Sequence, residues 1–413
     1  MRQKRIEHNS LVMFFLVGLL ILLGTKSSGQ ELQEYLQMAA ENNAGLQAAR
    51  VDYEVALQQL PQVKGLPDPN LGVSAFGKME DARISLMQQI PWFGTLEARE
   101  DEASLLAEAQ YQIYLDKRNE LFYQVSQQYF RLYFLMEQSR YEKENQQVLE
   151  NLKELTLSRM RSGEGNLSDV LQVDLLLNQS ESDLKLLEME ARPVTSRLNA
   201  LLNRDATEKV RLPDTLVLQE IPLVSLEDLE LNPLVMEMEK RIEAAGHTVT
   251  VAKKSGLPQL GVGLELMVNQ RMMMEERGDN VLMPMVNLSL PIFRKKYKAA
   301  EEQARLQLES YVLQQEQLYQ ELEASLQEVI FDAEKMLEQL SLYEEQVENS
   351  QQILSLLLTG YSNSTSTFEN ILQVGQDLLG YRLKMAEARA RYLTQLARIT
   401  YLTGNSLKDD IAK

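Results

Sequence analysis

Few side chains in this sequence could do chemistry, and their types decide much. Among 413 residues there is no Cys, and the only two His are His8 and His247. Without thiolates there are no disulfides, thiolate zinc sites, iron–sulfur clusters or Cys nucleophiles, and two imidazoles cannot supply most metal-ligand sets or a His-based triad within one chain. His247 falls on a short helix before a strand and reads as a surface or packing residue. Gly360 lies in no G-x-x-x-x-G-K pattern, so no phosphate loop is written there. Runs such as Gln314-Gln315-Glu316-Gln317 read as solvated helix faces rather than as acid–base pairs. No catalytic residue and no cofactor are assigned, and an enzyme is not expected. One group of soft donors stands out. Met267, Met272, Met273, Met274, Met283 and Met285 crowd one short stretch. Thioethers are ligands for Cu(I), and Met267, Met283 and Met285 would share one face of a hairpin, although Met equally fills irregular packing.

The elements that carry these residues begin with a leader. Arg2, Lys4 and Arg5 precede an apolar run from Leu11 to Leu23, too short to span a bilayer and of the length of a signal-peptide core, and Ser27 and Gly29 fit the small-residue cleavage rule. Residues 1–29 are therefore read as a signal peptide, with cleavage before Gln30. No later stretch is long and apolar enough for a transmembrane helix. The full chain is acidic, with 42 Lys plus Arg against 60 Asp plus Glu and a formal charge of −18, a balance that repels a phosphate backbone and argues against a nucleic-acid partner.

The chain is written twice. Pro69-Asn70-Leu71-Gly72-Val73 recurs as Pro258-Gln259-Leu260-Gly261-Val262, and the same shift of 189 aligns Asn43 with Asn232. Ile90-Pro91-Trp92-Phe93 answers to Leu290-Pro291-Ile292-Phe293 at a shift of 200, and Val170-Leu171-Gln172-Val173 to Ile371-Leu372-Gln373-Val374 at 201. Each half opens with a helical stretch, Leu32 to about Lys64 and about Leu226 to Lys254, ended by Pro and Gly. Strict alternation follows: Leu260, Val262, Leu264, Leu266 and Val268 lie on one side with polar residues, Gly and Met267 on the other. Leu282, Val286, Leu288 and Leu290 oppose Met283, Met285, Asn287 and Ser289, and Leu71, Val73, Ala75, Ile84 and Leu86 give a shorter version earlier. Such strands suit a half-buried sheet or a transmembrane β-barrel with a wet interior. Four strands cannot close a barrel, and open edges are not tolerated in hydrocarbon, so lipid-facing hairpins would have to be pooled from several chains.

After each hairpin the helical period returns. Tyr319, Leu322, Leu326, Val329, Ala333, Met336, Leu340, Tyr343 and Val347 form a heptad seam. No Pro or Gly occurs between Leu96 and Met160 or between Tyr297 and Leu358, which predicts helical rods of about 95 Å. A turn follows each, at Ser162–Asn166 and Ser362–Ser366, and then a return helix to about Leu202 and about Leu402. Pro193 should kink or break the first of these.

This duplicated order resembles the TolC family of bacterial outer-membrane efflux ducts over nearly the whole mature chain. Gly360-Tyr361-Ser362 through Ile371-Leu372 is similar to the family's G-Y-x-x-G-x-x-T/S…D-V-L turn, with Arg161-Ser162-Gly163 through Ser168-Asp169-Val170-Leu171 as its counterpart. The corners Ile90-Pro91-Trp92-Phe93-Gly94 and Leu290-Pro291-Ile292-Phe293 look like the family's strand ends. The resemblance implies a mainly α protein with a small β part: a long-helix α-barrel continued by a twelve-stranded transmembrane β-barrel, pooled from three chains with four strands each. It implies docking of the helical turns onto a periplasmic adaptor (a membrane fusion protein) through Gly163, Asn166, Ser168, Asp169, Ser362, Ser364, Thr365 and Thr367. Helix capping alone is the other reading of these small and hydroxyl residues. It also implies a periplasmic constriction at Glu369, Asn370 and Gln373, where two amides replace the acids that the family often carries and the field should be weaker. Trp92, Phe93 and Phe293 would lie at the membrane interface, or else be ordinary core aromatics.

The expected organisation is a signal peptide at 1–29, a first repeat at 30–202 with its hairpin at about 70–90, a linker at 203–225, and a second repeat at 226–413 with its hairpin at about 259–290. The expected function is a homotrimeric exit duct in the outer membrane with a periplasmic extension, contacting lipid. It would pass drugs or metal ions passively, driven by an inner-membrane pump through the adaptor. The alternatives are a type I secretion exit duct and a soluble periplasmic coiled-coil structural or adaptor protein.

Overall fold

In a computed structural model, residues 28–76, 81–269, 281–363 and 365–404 are described. Most of the expected leader, Met272 to Met274 and Ser364 lie outside them. The leading helical stretch, expected to be continuous, is three helices: α1 (Ser28–Asn42), α2 (Ala44–Leu57) and α3 (Gln59–Lys64). The break at Asn43 has a physical cause. Asn competes with the helix ladder through its own amide, and Asn43 Nδ2 donates instead to the Leu201 carbonyl at 2.9 Å. The hairpin strands β1 (Asn70–Phe76) and β2 (Asp81–Ile90) follow, then α4 (Thr95–Arg161) and α5 (Leu167–Leu201).

The order then recurs. The second leading stretch is again split: a 3₁₀ turn spans Leu226–Leu231, and α6 runs from Pro233 to Ser255. Pro233 forces Asn232 into an extended conformation (ψ 128°), and the Asn232 side chain then caps the helix by accepting from the Leu234 N–H at 2.8 Å. Next come β3 (Gln259–Asn269), β4 (Val281–Ser289), α7 (Arg294–Ser362) and α8 (Phe368–Leu402). The long helices α4 and α7 hold 67 and 69 residues. In α7 the seam residues Leu322, Leu326, Val329, Ala333, Met336 and Leu340 are all buried. Pro193 does not break α5, which runs through it to Leu201. A mid-helix Pro costs about 3 kcal/mol, and burial of Val173, Ser180, Leu198 and Asn199 on either side anchors the helix against that cost.

The chain folds into two compact units, each drawing on both repeats. The first comprises, among the described residues, 28–43, 121–222 and 329–399. Its core includes Tyr35, Val125, Tyr129, Tyr133, Leu198 and Tyr392. The segment 203–222 has no helix or strand but is fastened down. Buried Asn199 donates to the carbonyls of Ala206 and Glu208, Arg211 N–H donates to the Tyr35 hydroxyl at 2.8 Å, and the Tyr392 hydroxyl donates to Gln219 O at 2.5 Å. The second unit comprises 44–120, 223–328 and 400–404. It contains a four-stranded antiparallel sheet in the order β1-β2-β3-β4. Among the described residues β1 pairs only with β2 and β4 only with β3, so both outer edges are open.

Candidate channel wall and docking surfaces

Register sorts the sheet's side chains into two faces. Leu71, Leu86, Leu264 and Pro284 form one cross-strand row, and Val73, Ile84, Leu266 and Leu282 form the next. Val262 meets Val286, and Leu260 lies between Ile90 and Leu288. The opposite face carries Gly72, Ser85, Glu265 and Met283 in one row and Arg83, Met267 and Val281 in another. An ordinary half-buried sheet hides its apolar face, but here the apolar face is the more exposed one. Leu71, Leu86, Leu264, Leu282, Leu288 and Val286 (74% exposed) stand free, while Arg83, Ser85, Glu265 and Met283 are partly covered. Arg83 reaches Glu265 at 3.8 Å across that polar face.

Met267, Met283 and Met285 do lie on this one face, and Met87 joins them. Met87 and Met285 flank Gly263, and Asn287 Nδ2 lies 3.7 Å from the Met87 sulfur. Met87 escaped the sequence reading because it lies in the shorter hairpin, away from the run of methionines. No group of three or more His, Asp or Glu able to hold a metal occurs among the described residues. His247 pairs with Asp101 at 3.4 Å on the surface of the second unit.

At the strand-to-helix corner Gly94 adopts φ +74°, and Thr95 N–H donates to Trp92 O at 2.9 Å. Phe93 and Phe293 are 80% and 79% exposed and belong to no core, while Trp92 meets the Phe93 ring edge-on at 6.2 Å.

The two helical turns belong to the first unit. Gly163 ends α4 with φ +80°, where a side chain would be strained, and the N–H groups of Gly163, Glu164 and Gly165 close on Met160 and Arg159. Asn166, Ser168 and Gly163 are exposed and Asp169 is half-buried, with the Ser168 hydroxyl donating to Asp169 at 3.2 Å. In the second turn Thr365 donates through both its N–H and its hydroxyl to Gly360 O, and Ser362 donates back to Leu358 O. The Thr367 hydroxyl accepts from Asn370 N–H at 3.4 Å, as an N-cap does. Thr367, Ser362 and Thr365 thus each make a local hydrogen bond at the turn, while Asn166 makes no side-chain cap.

One network links the turns. Arg159 stacks its guanidinium 4.4 Å from the Tyr361 ring centre and donates to the Tyr361 carbonyl, and the Tyr361 hydroxyl bonds to Asp169. Burial pushes the Tyr361 hydroxyl pKa up, Asp169 adds to that shift, and Arg159 opposes it. Sequence reasoning passed over Arg159 and Tyr361, although Tyr361 sits in the quoted Gly360-Tyr361-Ser362 motif. Glu369, Asn370 and Gln373 are exposed on the first turns of α8. Gln373 Nε2 donates to both carboxylate oxygens of Asp377 at 3.1 Å, so an acid stands one turn beyond the two amides.

Residues 226–405 match the family model described as outer membrane efflux protein. The match covers the second of the two repeats and less than half of the chain. The whole chain shares its fold with solved outer-membrane channels. The channel OprN is 16% identical, with 92% of this chain and 91% of that one covered at a TM-score of 0.79. The CmeC outer membrane channel of Campylobacter jejuni is 16% identical, covering 92% and 88% at 0.77. The outer membrane protein VceC of Vibrio cholerae is 15% identical, covering 91% and 96% at 0.76. A search of curated proteins finds no match. No described helix is long and apolar enough to cross a membrane.

Proposed function

We propose that this chain is the exit duct of a tripartite efflux system in the outer membrane. Three chains pool their four-stranded sheets into a closed twelve-stranded barrel, and their long helices continue it into the periplasm. The observation that carries this reading is the inverted sheet, apolar on its exposed face and open at both edges. Lipid takes the apolar face, and neighbouring chains take the edges. Trp92, Phe93 and Phe293 sit at the periplasmic boundary of the bilayer, where aromatic rings are favoured.

In this reading an inner-membrane pump supplies the energy, and small solutes such as drugs or metal ions leave passively. A periplasmic adaptor engages the turns through Gly163, Asn166, Ser168, Asp169, Ser362, Ser364, Thr365 and Thr367. Glu369, Asn370 and Gln373, with Asp377 behind them, narrow the entrance. Met267, Met283 and Met285 line the lumen, where thioethers would meet passing soft cations.

The test is the native mass of the protein extracted from separated outer membranes. A detergent-dependent trimer is expected. A monomer released without detergent overturns the duct.

A further inference from the structure

We propose that a cleft in the first compact unit is a binding site for a small organic cation with an apolar body. The cleft has a volume of about 200 Å³ and is bounded by α4, α5, α7 and α8. Its apolar wall is made by Leu149, Leu152, Leu354 and Ile371, which belong to the same buried cluster as Tyr361 and Phe368. A space of this size takes a fragment rather than a drug-sized molecule, for which roughly 300–1,000 Å³ is usual.

Three polar groups give the cleft its chemistry. Ser180 is 2% exposed, yet its hydroxyl has no hydrogen-bond partner among the described residues. Buried polar groups are nearly always paired, so an unpaired hydroxyl lining a cavity is suited to a ligand. Glu142 is buried, and the cleft's second carboxylate, Asp183, lies one helical turn beyond Gln179 on α5. Asn145 Nδ2 donates to Glu142 at 3.3 Å and Gln179 Nε2 to Asp183 at 2.8 Å. Both donors are neutral amides, and neither carboxylate forms a salt bridge with a cation among the described residues. Two negative charges beside an apolar wall select an ammonium group attached to a hydrocarbon or aromatic body. Gly375 on α8 completes the cavity, and a Cβ built there meets no atom within 4 Å. The room for a ligand is therefore also room for a larger side chain. This site is independent of the duct assignment, since it lies wholly within one unit of one chain.

The experiment titrates the full-length protein, in a nonionic maltoside detergent, with 2-phenylethylammonium and with neutral 2-phenylethanol. Calorimetry and the unfolding temperature are the readouts. The ammonium should saturate one site per chain, bind at least tenfold more tightly than the alcohol, and raise the unfolding temperature. Asp183→Asn should remove most of that tenfold preference. Gly375→Leu, which fills the cavity, should abolish binding of both. Equal affinity for the two compounds overturns the cationic class, and undiminished binding in Gly375→Leu, or no saturable binding at all, overturns the site. If Gly375→Leu fails to assemble, the comparison of Asp183→Asn with the parent protein decides alone.

Discussion

The side-chain amide of Asn232 donates to the main-chain oxygen of Leu402 at 2.8 Å, and Asn43, 189 positions earlier, makes the same bond to Leu201 at 2.9 Å. Each bond ties the break before one helix to the last turn of a return helix, where carbonyls lack intrahelical partners. The repeat is thus written in hydrogen bonds as well as in order. Asn232 is fully buried and also caps α6. Asn232→Ala should therefore cost about 2 kcal/mol, combining a lost cap with an unsatisfied carbonyl. The denaturant midpoint of the extracted protein measures this, and an unchanged midpoint would remove the role assigned to the amide.

The two faces of the sheet should respond oppositely to charge. Arg at Leu264 or Val286 should impair membrane assembly by roughly 2–4 kcal/mol if the site lies near the bilayer midplane. Arg at Asn287, on the polar face, should be tolerated. Folded trimer yield in each variant is the measure, and equal losses on both faces would sink the barrel.

The network between the turns should control local opening. Arg159→Ala removes both the cation–π stack on Tyr361 and the donor to its carbonyl. A loss of about 1.4 kcal/mol raises the open population tenfold, so amide exchange between Gly360 and Phe368 should quicken about tenfold while the sheet is unaffected. Exchange that stays at the parent rate would mean that the two turns are held by other contacts.

The proposed adaptor docking is tested by a bulky substitution that leaves the turn's backbone unstrained. Gly163 is unsuitable because of its positive φ. Asn166→Trp and Ser168→Trp occupy exposed positions and should abolish efflux while leaving the trimer intact. Drug susceptibility in a strain that relies on this duct provides the readout, and parental susceptibility in both variants counts against docking there.

Acid should favour the second unit relative to neutral pH through Asp116. Burial raises its pKa to about 6, with Glu120 and Glu237 adding to the shift and Lys117 and a hydrogen bond from Tyr401 opposing it. The folded protein holds this proton more tightly than the unfolded chain, so the contribution is fully present below about pH 4 and is lost as pH rises through about 6. Asp116→Asn should abolish that loss. Unfolding midpoints at pH 5 and pH 7.5 should draw together in the variant, and an unchanged difference would place the titration elsewhere.

Much of this was legible in the sequence because its signals are periodic. Alternation from Gln259 to Asn269 and the seam from Leu322 to Leu340 each repeat one constraint many times, so no single residue can mislead. What escaped depends on contacts far apart in the chain. The split at Asn43 follows from a carbonyl 158 residues away, and the Arg159–Tyr361 contact spans 202. A break at Pro193, one of the two outcomes that its local cost predicts, does not occur, because the burial of Leu198 and Asn199 beyond it holds the helix together. Asp377 matches no position of the turn motif, and only the orientation of the Gln373 amide joins it to that cluster.

The open edges of the sheet have a consequence in time. Until those edges are covered, each chain carries two unpaired strand edges beside a bare apolar face, a surface that recruits any other extended chain. In the proposed trimer, coverage by further copies is a collision process, so its rate climbs steeply with the local density of newly made chains. Expression level then sets more than the number of finished molecules. It sets how long each one survives unfinished, and below some rate of supply proteases and misassembly should outrun completion.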